Sequence, residues 1–332
     1  MTRNRFLFLV WLLLTAVALG VQRPWQGDSH SQTSSTIRPL FPALGFNAHR
    51  TAVIEISGPD GSVTLRKGDS AQADYVWKVV NRFGHPVDLV RIQHLMDGLA
   101  SLTTRDVVSV EPSSHKVYKV EEGASTRVRV LDDRGVVMAD LLGGGLRKQD
   151  PTAGNRAILA FYIRPTQTDT VYLTSDYSAA STSPSYWCDT WFLREVEKED
   201  VRSAERVDHD GKESWKIVRT AKSEEEVGWK MVAPLAEEIP AFAGDSWVHS
   251  LRNLRAEEIV SNQRDDPRFG KTTDIFRVGI GDHLFELRLG SPAGMNRRYA
   301  QIVGLPFLYV IAQHEVDQFR QTIADMLKVE TD

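Results

Sequence analysis

The stretch Trp77-Lys78-Val79-Val80 appears a second time, 152 positions later, as Trp229-Lys230-Met231-Val232. This offset holds without a gap up to Val108, and along it apolar residues match apolar residues; the pairs include Phe83 with Leu235, Val87 with Ile239, Val90 with Phe242, Leu95 with Trp247 and Leu99 with Leu251. Further along, an offset of 137 matches Tyr162 with Tyr299 and Val171-Tyr172-Leu173 with Leu308-Tyr309-Val310. Self-similarity of this kind predicts two tandem copies of one fold.

Each copy combines short strands with one helix. Alternating residues in 51–67 flank the turn sequence Pro59-Asp60-Gly61 and predict a β-hairpin. Apolar residues then recur at helical spacing over 87–102, and over 239–254 in the second copy. We therefore expect an α+β protein with two tandem copies, residues 48–189 and 190–332. Each copy should pack its amphipathic helix on a mixed, mainly antiparallel sheet bearing Trp77 or Trp229.

An apolar segment precedes the repeats. Arg3 and Arg5 lead into an uncharged run over 6–21, whose length lies between a signal-peptide core and a membrane-spanning helix. We expect residues 1–22 to be a signal anchor that crosses the membrane through 6–21. A cleaved signal peptide is the alternative, because Ala16-Val17-Ala18 offers a cleavage site.

The flanks of this segment predict where the body lies. Basic residues before the run place the C-terminal body outside the cytoplasm, in the periplasm, either on a single-pass anchor in the cell membrane or secreted after cleavage. Residues 23–47, which include a stretch rich in Ser and Thr, are predicted to be a flexible tether.

Composition argues against several functional classes. The 40 Lys and Arg residues against 44 Asp and Glu leave a charge of -4 without a basic cluster, so nucleic-acid binding is not expected. A single cysteine, Cys188, excludes an intramolecular disulfide framework and a multi-thiolate metal site. The histidines form neither an H-E-x-x-H motif nor an i, i+4 pair, so no metal site is expected.

Candidate catalytic motifs are weak. Ser113-Ser114-His115-Lys116 matches S-x-x-K and Lys271-Thr272-Thr273 resembles K-T-G, the pair expected of a penicillin-recognising serine enzyme. Ser113 is predicted to lie in a polar loop, whereas such a nucleophile needs a helix start. Gly143-Gly144-Gly145 lacks the remainder of a phosphate-binding loop and is predicted to form a turn. We expect no catalytic residue, no cofactor and no metal.

Aromatic residues cluster at the hinge between the copies. Tyr177, Tyr186, Trp187 and Trp191 surround the Ser-rich stretch 175–185, where such side chains either pack between the copies or bind a partner. They are the predicted partner-binding residues. The sequence thus predicts a non-catalytic binding or assembly protein outside the cytoplasm, whose partner is a membrane or envelope protein. A cell-envelope hydrolase acting on peptidoglycan or peptides is the alternative.

Several of these motifs also resemble a known family. The pattern comprises an I-x-I strand after a membrane-proximal apolar segment, G-x-V-x-L at 61–65, W-x-V at 77–79, a helix ending in L-x-x-L, and W-x-x-x-x-P-L at 229–235. It is similar to the family with a domain of unknown function termed DUF4340. The resemblance implies an exported, membrane-anchored envelope protein, with relatives linked to gliding-motility transport components beside an ABC-type exporter. It implies no catalytic residue.

Overall fold

The computed structural model describes residues 37–68, 77–147, 159–177, 179–221 and 227–327. These residues form two sheets of nine strands each, and every strand pairing within them is antiparallel. The strands of the first sheet are β1 (Thr51–Gly58), β2 (Gly61–Lys67), β3 (Trp77–Val79), β4 (His85–Pro86), β5 (Val107–Ser109), β6 (Thr126–Asp132), β7 (Val137–Leu146), β8 (Phe161–Pro165) and β9 (Val171–Thr174). Those of the second are β10 (Val201–Asp208), β11 (Trp215–Ala221), β12 (Val227–Ala233), β13 (Glu237–Ile239), β14 (Glu258–Ser261), β15 (Asp274–Ile280), β16 (His283–Pro292), β17 (Arg297–Ile302) and β18 (Leu308–Ala312).

Strand order is the same in both sheets. The first runs β4-β3-β2-β1-β6-β7-β8-β9-β5 and the second β13-β12-β11-β10-β15-β16-β17-β18-β14. We call each sheet with its helices the first unit and the second unit. The α+β class is confirmed, and the described sheets are antiparallel rather than mixed.

Strand register also repeats. Lys67 pairs with Trp77 in the first sheet, and Arg219 pairs with Trp229 in the second. Further equivalent pairs keep the offsets seen in the sequence: Val79–His85 with Met231–Glu237, Tyr162–Leu173 with Tyr299–Val310, and Ile163–Tyr172 with Ala300–Tyr309. A residue can therefore be assigned its counterpart in the other unit from hydrogen-bonded neighbours as well as from sequence.

Seven helices accompany the sheets: α1 (Pro42–Asn47), α2 (Leu89–Ser101), α3 (His115–Tyr118), α4 (Pro184–Trp187), α5 (Ala241–Arg252), α6 (Gln313–Phe319) and α7 (Ile323–Leu327) within the described ranges. The two long helices, α2 and α5, lie within the segments predicted to be helical. Asp88 caps α2 by accepting the Val90 backbone N–H. Gly244 in α5 brings this helix against β12, because a Cβ there would overlap the Trp229 ring.

Most matched apolar positions form the two cores, but not all of them. Leu95 and Leu99 are buried in α2, as are Trp247 and Leu251 in α5. Three matched pairs are instead exposed in both units: Val80 with Val232, Phe83 with Leu235, and Val90 with Phe242. They lie at the turn between the helix-side edge strands and at the helix start, where one side of each residue faces solvent. Apolar identity at these positions is thus not explained by core packing.

The first unit begins before residue 48. Pro39 bridges Thr103 just as Trp191 bridges Arg255 in the second unit, and these positions are again 152 apart. Leu44 of α1 is buried against the first unit. Within the part of the predicted tether that the structure describes, 37–47, Phe41 and Leu44 are buried and α1 packs near α2 and β7.

The predicted anchor, 1–22, and the first part of the tether, 23–36, lie outside the described residues. None of the helices in the described ranges is long and apolar enough to cross a membrane.

Two local predictions are also wrong. Gly143-Gly144-Gly145 lies inside β7 rather than in a turn, and a Cβ on Gly144 would overlap the Tyr118 carbonyl oxygen. Ser113 lies in a 3-10 turn, 112–114, that continues into α3, rather than in an irregular loop. The glycine prediction failed because the backbone of Tyr118 crosses over β7 at Gly144, a contact that local sequence does not reveal.

Candidate functional site: a groove between the units

A groove of about 610 Å³ lies between the two units. We call it the inter-unit groove. Its first-unit wall consists of Trp77, His85, Pro86, Val87, Leu89 and Val90, and the connecting segment contributes Asp189, Trp191, Phe192, Arg194 and Glu195. The second unit supplies Phe285, Ile302, Val303, Gly304, Leu305 and Tyr309. Concave, mainly apolar surfaces with a few polar groups are the usual form of a binding site.

His85 joins the two units at the floor of the groove. Its Nδ1 lies 2.9 Å from the Pro86 carbonyl oxygen, which only accepts, so Nδ1 carries the proton. Its Nε2 lies 3.3 Å from the Tyr309 hydroxyl, which donates to it. The Phe307 ring covers the imidazole at a centroid distance of 4.6 Å. Burial lowers the pKa of His85 to about 4, and the nearby Arg82 charge acts in the same direction, so the ring is neutral at pH 7.

Charged residues line one rim of the groove. The buried Asp88 carboxylate lies 3.4 Å from Arg91 and 3.5 Å from Arg194. Asp189 accepts the Trp191 backbone N–H at 3.2 Å, and burial raises the pKa of this carboxyl. These charges hold the connecting segment against the start of α2.

The predicted aromatic residues do not share one surface. Tyr177 and Trp187 are each only 2% exposed, and the Trp187 indole donates to the Ser181 carbonyl at 2.8 Å. Their accessible area is too small for direct contact with a partner. Tyr186 is exposed, with Arg91 lying 4.4 Å from its ring centre. Trp191 lines the groove, and the guanidinium groups of Arg194 and Arg255 lie 5.9 and 5.5 Å from its ring centre.

Residues with nucleophilic potential lie elsewhere or are protected. Cys188 is fully buried, and burial raises the pKa of its thiol to about 12, so it is a thiol at neutral pH. Ser113 and Lys116 are both exposed and do not line the inter-unit groove. Within the described ranges, no group of three or more His, Cys, Asp or Glu side chains is arranged to hold a metal ion.

Sequence patterns alone did not single out His85. Glu237 occupies the register position equivalent to His85, and Glu238 the one equivalent to Pro86, so both residues of β4 differ in type from their counterparts. The hydroxyl partner of His85, Tyr309, lies 224 residues away in the chain. A difference between two otherwise matched copies was the available signal, and it points to the place where one copy contacts the other.

The fold and the groove define an α+β protein made of two antiparallel units with one strand order, which meet around a cleft lined by both apolar and charged residues. A family model described as "Domain of unknown function (DUF4340)" matches residues 77–241, from β3 of the first unit to the start of α5 in the second. The chain resembles this family over that range, which confirms the resemblance drawn from the sequence motifs. No curated protein and no solved structure matches the chain significantly.

Proposed function

We propose that the protein is a non-catalytic binding or assembly component, and that the inter-unit groove receives an apolar segment of a protein partner. The observation that carries this proposal is the chemistry of the groove. Leu89, Val90 and Val303 are about half exposed at its rim, whereas the polar groups at its floor already bond to each other. The exposed apolar residues at the rim offer hydrophobic contact area to a partner.

Trp191 is the part of the predicted aromatic cluster that this proposal retains as a contact residue. Its ring is partly accessible, has two guanidinium groups 5.5 and 5.9 Å from its centre and lies beside apolar residues of both units. Rigid aromatic side chains in partly enclosed sites contribute most to protein binding. Tyr186 is also exposed, whereas Tyr177 and Trp187 are buried and stabilise the connection between the units from inside.

We further propose that residues 6–21 anchor the protein in the cell membrane, with the two units in the periplasm. The charge asymmetry around this segment supports the orientation. We propose as the partner another membrane or envelope protein, one that belongs to a membrane transport complex. A reporter fused to the C-terminus that is active only outside the cytoplasm should be active; activity of a cytoplasm-only reporter would contradict the orientation.

Site-specific photo-crosslinking in cells tests the groove as the binding surface. A photoreactive residue at Val303, on the groove, should give a discrete adduct with a membrane protein. The same residue at Val117, which is more exposed but lies outside the groove, is the matched control. The Val303 adduct should fall at least several-fold when Trp191 is changed to Ala.

Two outcomes would contradict the proposed function. One is equal adduct formation from Val303 and Val117, which would mean that the groove has no preference for a partner. The other is an adduct that is unaffected by Trp191→Ala in a variant whose thermal transition is unchanged.

A further inference from the structure

The surface of the second unit that lines the inter-unit groove has an equivalent surface on the first unit. Six positions of this first-unit surface, which we call the rear surface, are Pro39, Leu40, Ala139, Pro165, Gln167 and Tyr172, and they line a cavity of about 420 Å³. Their counterparts by strand register and offset are Trp191, Phe192, Phe285, Ile302, Gly304 and Tyr309, which all line the inter-unit groove. The two cavities are thus equivalent surfaces of the two units.

Contact between the units is heterologous. The first unit presents β4 and the turn before it, and the second unit receives them on its own rear surface. Arg82 reaches Glu258 at 3.2 Å, and His85 reaches Tyr309. Since a different surface is used on each side, this contact leaves one surface of each kind unused.

Exposure of the equivalent residues shows which surfaces these are. His85 and Tyr309 are each 2% exposed because the other unit covers them. Glu237, the counterpart of His85, is exposed, and Tyr172, the counterpart of Tyr309, is only partly buried. Beside Glu237 lie Leu235 and Phe242, which are exposed to about the same extent as their first-unit counterparts Phe83 and Val90. We call Glu237 with these two apolar residues the front surface of the second unit.

We infer that the chain associates head to tail with further copies of itself, placing the front surface of the second unit on the rear surface of the first unit in the next copy. The occupant is a second copy because the contact already exists once within the chain, between surfaces of the same type. A heterologous contact that does not close on itself produces a linear assembly.

Side-chain chemistry fits this repetition. In the intermolecular contact the Tyr172 hydroxyl would donate to the Glu237 carboxylate, as Tyr309 donates to His85 within the chain. The cavity that would receive β13 has an apolar lining that includes Leu40, Met138 and Pro165. The register equivalents of Arg82 and Glu258 are Pro234 and Asp106, so one ion pair is absent and the intermolecular contact should be the weaker of the two.

This inference does not rest on the proposed function. Head-to-tail association would occur whether the inter-unit groove holds a partner segment, a small ligand or neither. Head-to-tail association would also leave the inter-unit groove unblocked, because it uses the front surface of the second unit and the rear surface of the first unit.

Disulfide crosslinking between two full-length variants tests the contact directly. Glu237→Cys and Tyr172→Cys are made separately, and Cys188 is too buried to interfere. Mild oxidation of the mixture should give a covalent dimer containing one chain of each variant, several-fold above either variant alone. The double variant, carrying both changes in one chain, should give a ladder of trimers and larger species.

A matched control uses Arg66→Cys, an exposed position on the outer face of the first sheet, in place of Tyr172→Cys. If Tyr172→Cys lowers the thermal transition, Gln167→Cys, an exposed position of the same cavity, replaces it. Crosslinking of Glu237→Cys no better with these rear-surface cysteines than with Arg66→Cys would overturn the inference. So would preferential pairing of Glu237→Cys with itself, which would indicate a symmetric dimer through the front surfaces. A monomeric sedimentation profile at all concentrations of the wild-type chain, up to the highest soluble one, would overturn it as well.

Discussion

The two units share one strand register but are filled by different side chains. The core of the second unit contains three indole rings, Trp215, Trp229 and Trp247. At the equivalent positions the first unit has Val63, Trp77 and Leu95, so two of the three side chains are smaller and aliphatic. In the second unit, the segment after β18 contacts two of these rings. Its carbonyls at Gln321 and Phe319 accept the indole N–H groups of Trp215 and Trp247 at 2.9 and 3.0 Å.

A buried ionic group marks the same difference. Asp274 is fully buried in the second unit and pairs with Arg206 at 3.1 Å and with Arg320. The register equivalents of Asp274 and Arg206 in the first unit are Thr126 and Ile56. Arg206 also donates to the carbonyls of Arg320 and Gln321, so this charge network ties the C-terminal segment to the sheet.

Strand register and the packing of the core are therefore specified separately in the two units. Alternation of inward and outward residues sets the register, and it is common to both units. Side-chain volume is then adjusted to the segment that covers each core, because a packed interior leaves few voids. The first unit is covered partly by the connecting segment and faces the groove, whereas the second is closed by its own C-terminal segment.

Replacing the matched tryptophans should have the largest effects on the free energy of unfolding, and the size of the effect should differ between the two units. Trp229→Ala should lower the free energy of unfolding by about 5 kcal/mol, because the ring is fully buried against α5. Trp77→Ala should cost about 3 kcal/mol, since this ring borders the groove and loses fewer contacts. Urea denaturation measures both; an equal or reversed order would mean that the two cores are not distinguished by their cover.

Acid should weaken the contact between units through His85. Its pKa is about 4 in the folded chain and about 6.5 when unfolded, so the unfolded state binds the extra proton first. The free energy of unfolding should therefore fall by about 3 kcal/mol as the pH is lowered from about 6.5 to 4. Protonated His85 also cannot accept the Tyr309 hydroxyl, so the inter-unit contact should loosen over the same range.

Denaturation at several pH values measures this loss in wild-type protein and in His85→Gln. The raised pKa of Asp189 acts in the opposite direction near the acid end, so the difference between the two proteins is the informative quantity. Glu237→Gln, at the equivalent second-unit position, is the control and should retain the wild-type loss. An identical pH dependence in His85→Gln would exclude His85 as its source.

A smaller effect should come from the matched strand glycines. Gly144→Ala and Gly290→Ala each place a Cβ against a crossing carbonyl, that of Tyr118 or of Phe269. Each change should cost about 1–3 kcal/mol through overpacking. Gly135→Ala is not a suitable control, because its φ is +78°; Gly45→Ala, with open space around its Cβ position, should be nearly neutral. A neutral Gly144→Ala would indicate that the crossing backbone moves freely.

The weakest expected effect lies on the outer faces of the sheets. Glu55 meets Arg129 at 3.4 Å, and the register equivalents Glu205 and Arg277 meet at the same distance. Because these pairs are partly exposed, Glu55→Gln and Glu205→Gln should each change stability by less than about 1 kcal/mol. Thermal denaturation at low and high salt tests this, and a loss above about 2 kcal/mol in either variant would show that the outer face is covered by something in solution.

The outer-face ion pairs are matches between the two units that the sequence alone did not reveal. The matched residues noticed in the sequence were almost all apolar, yet Glu55 and Glu205, and Arg129 and Arg277, match by strand register. They were missed because short changes in loop length shift the offset before Trp77 and after Val108. Only the hydrogen-bonded register restores the alignment across such shifts.

Local patterns were enough to predict the repeated unit, because strand and helix periodicities are local and occur twice in the chain with the same spacing. They also predicted both long helices within two residues at each end, and the positions of Trp77 and Trp229 within their sheets. Only packing between distant residues shows that Leu44 is buried in the first unit, which hinge aromatics are buried, and that His85 meets Tyr309. Those facts depend on contacts between residues up to 224 positions apart, which arise only when one unit packs against the other and so leave no local periodicity in the chain.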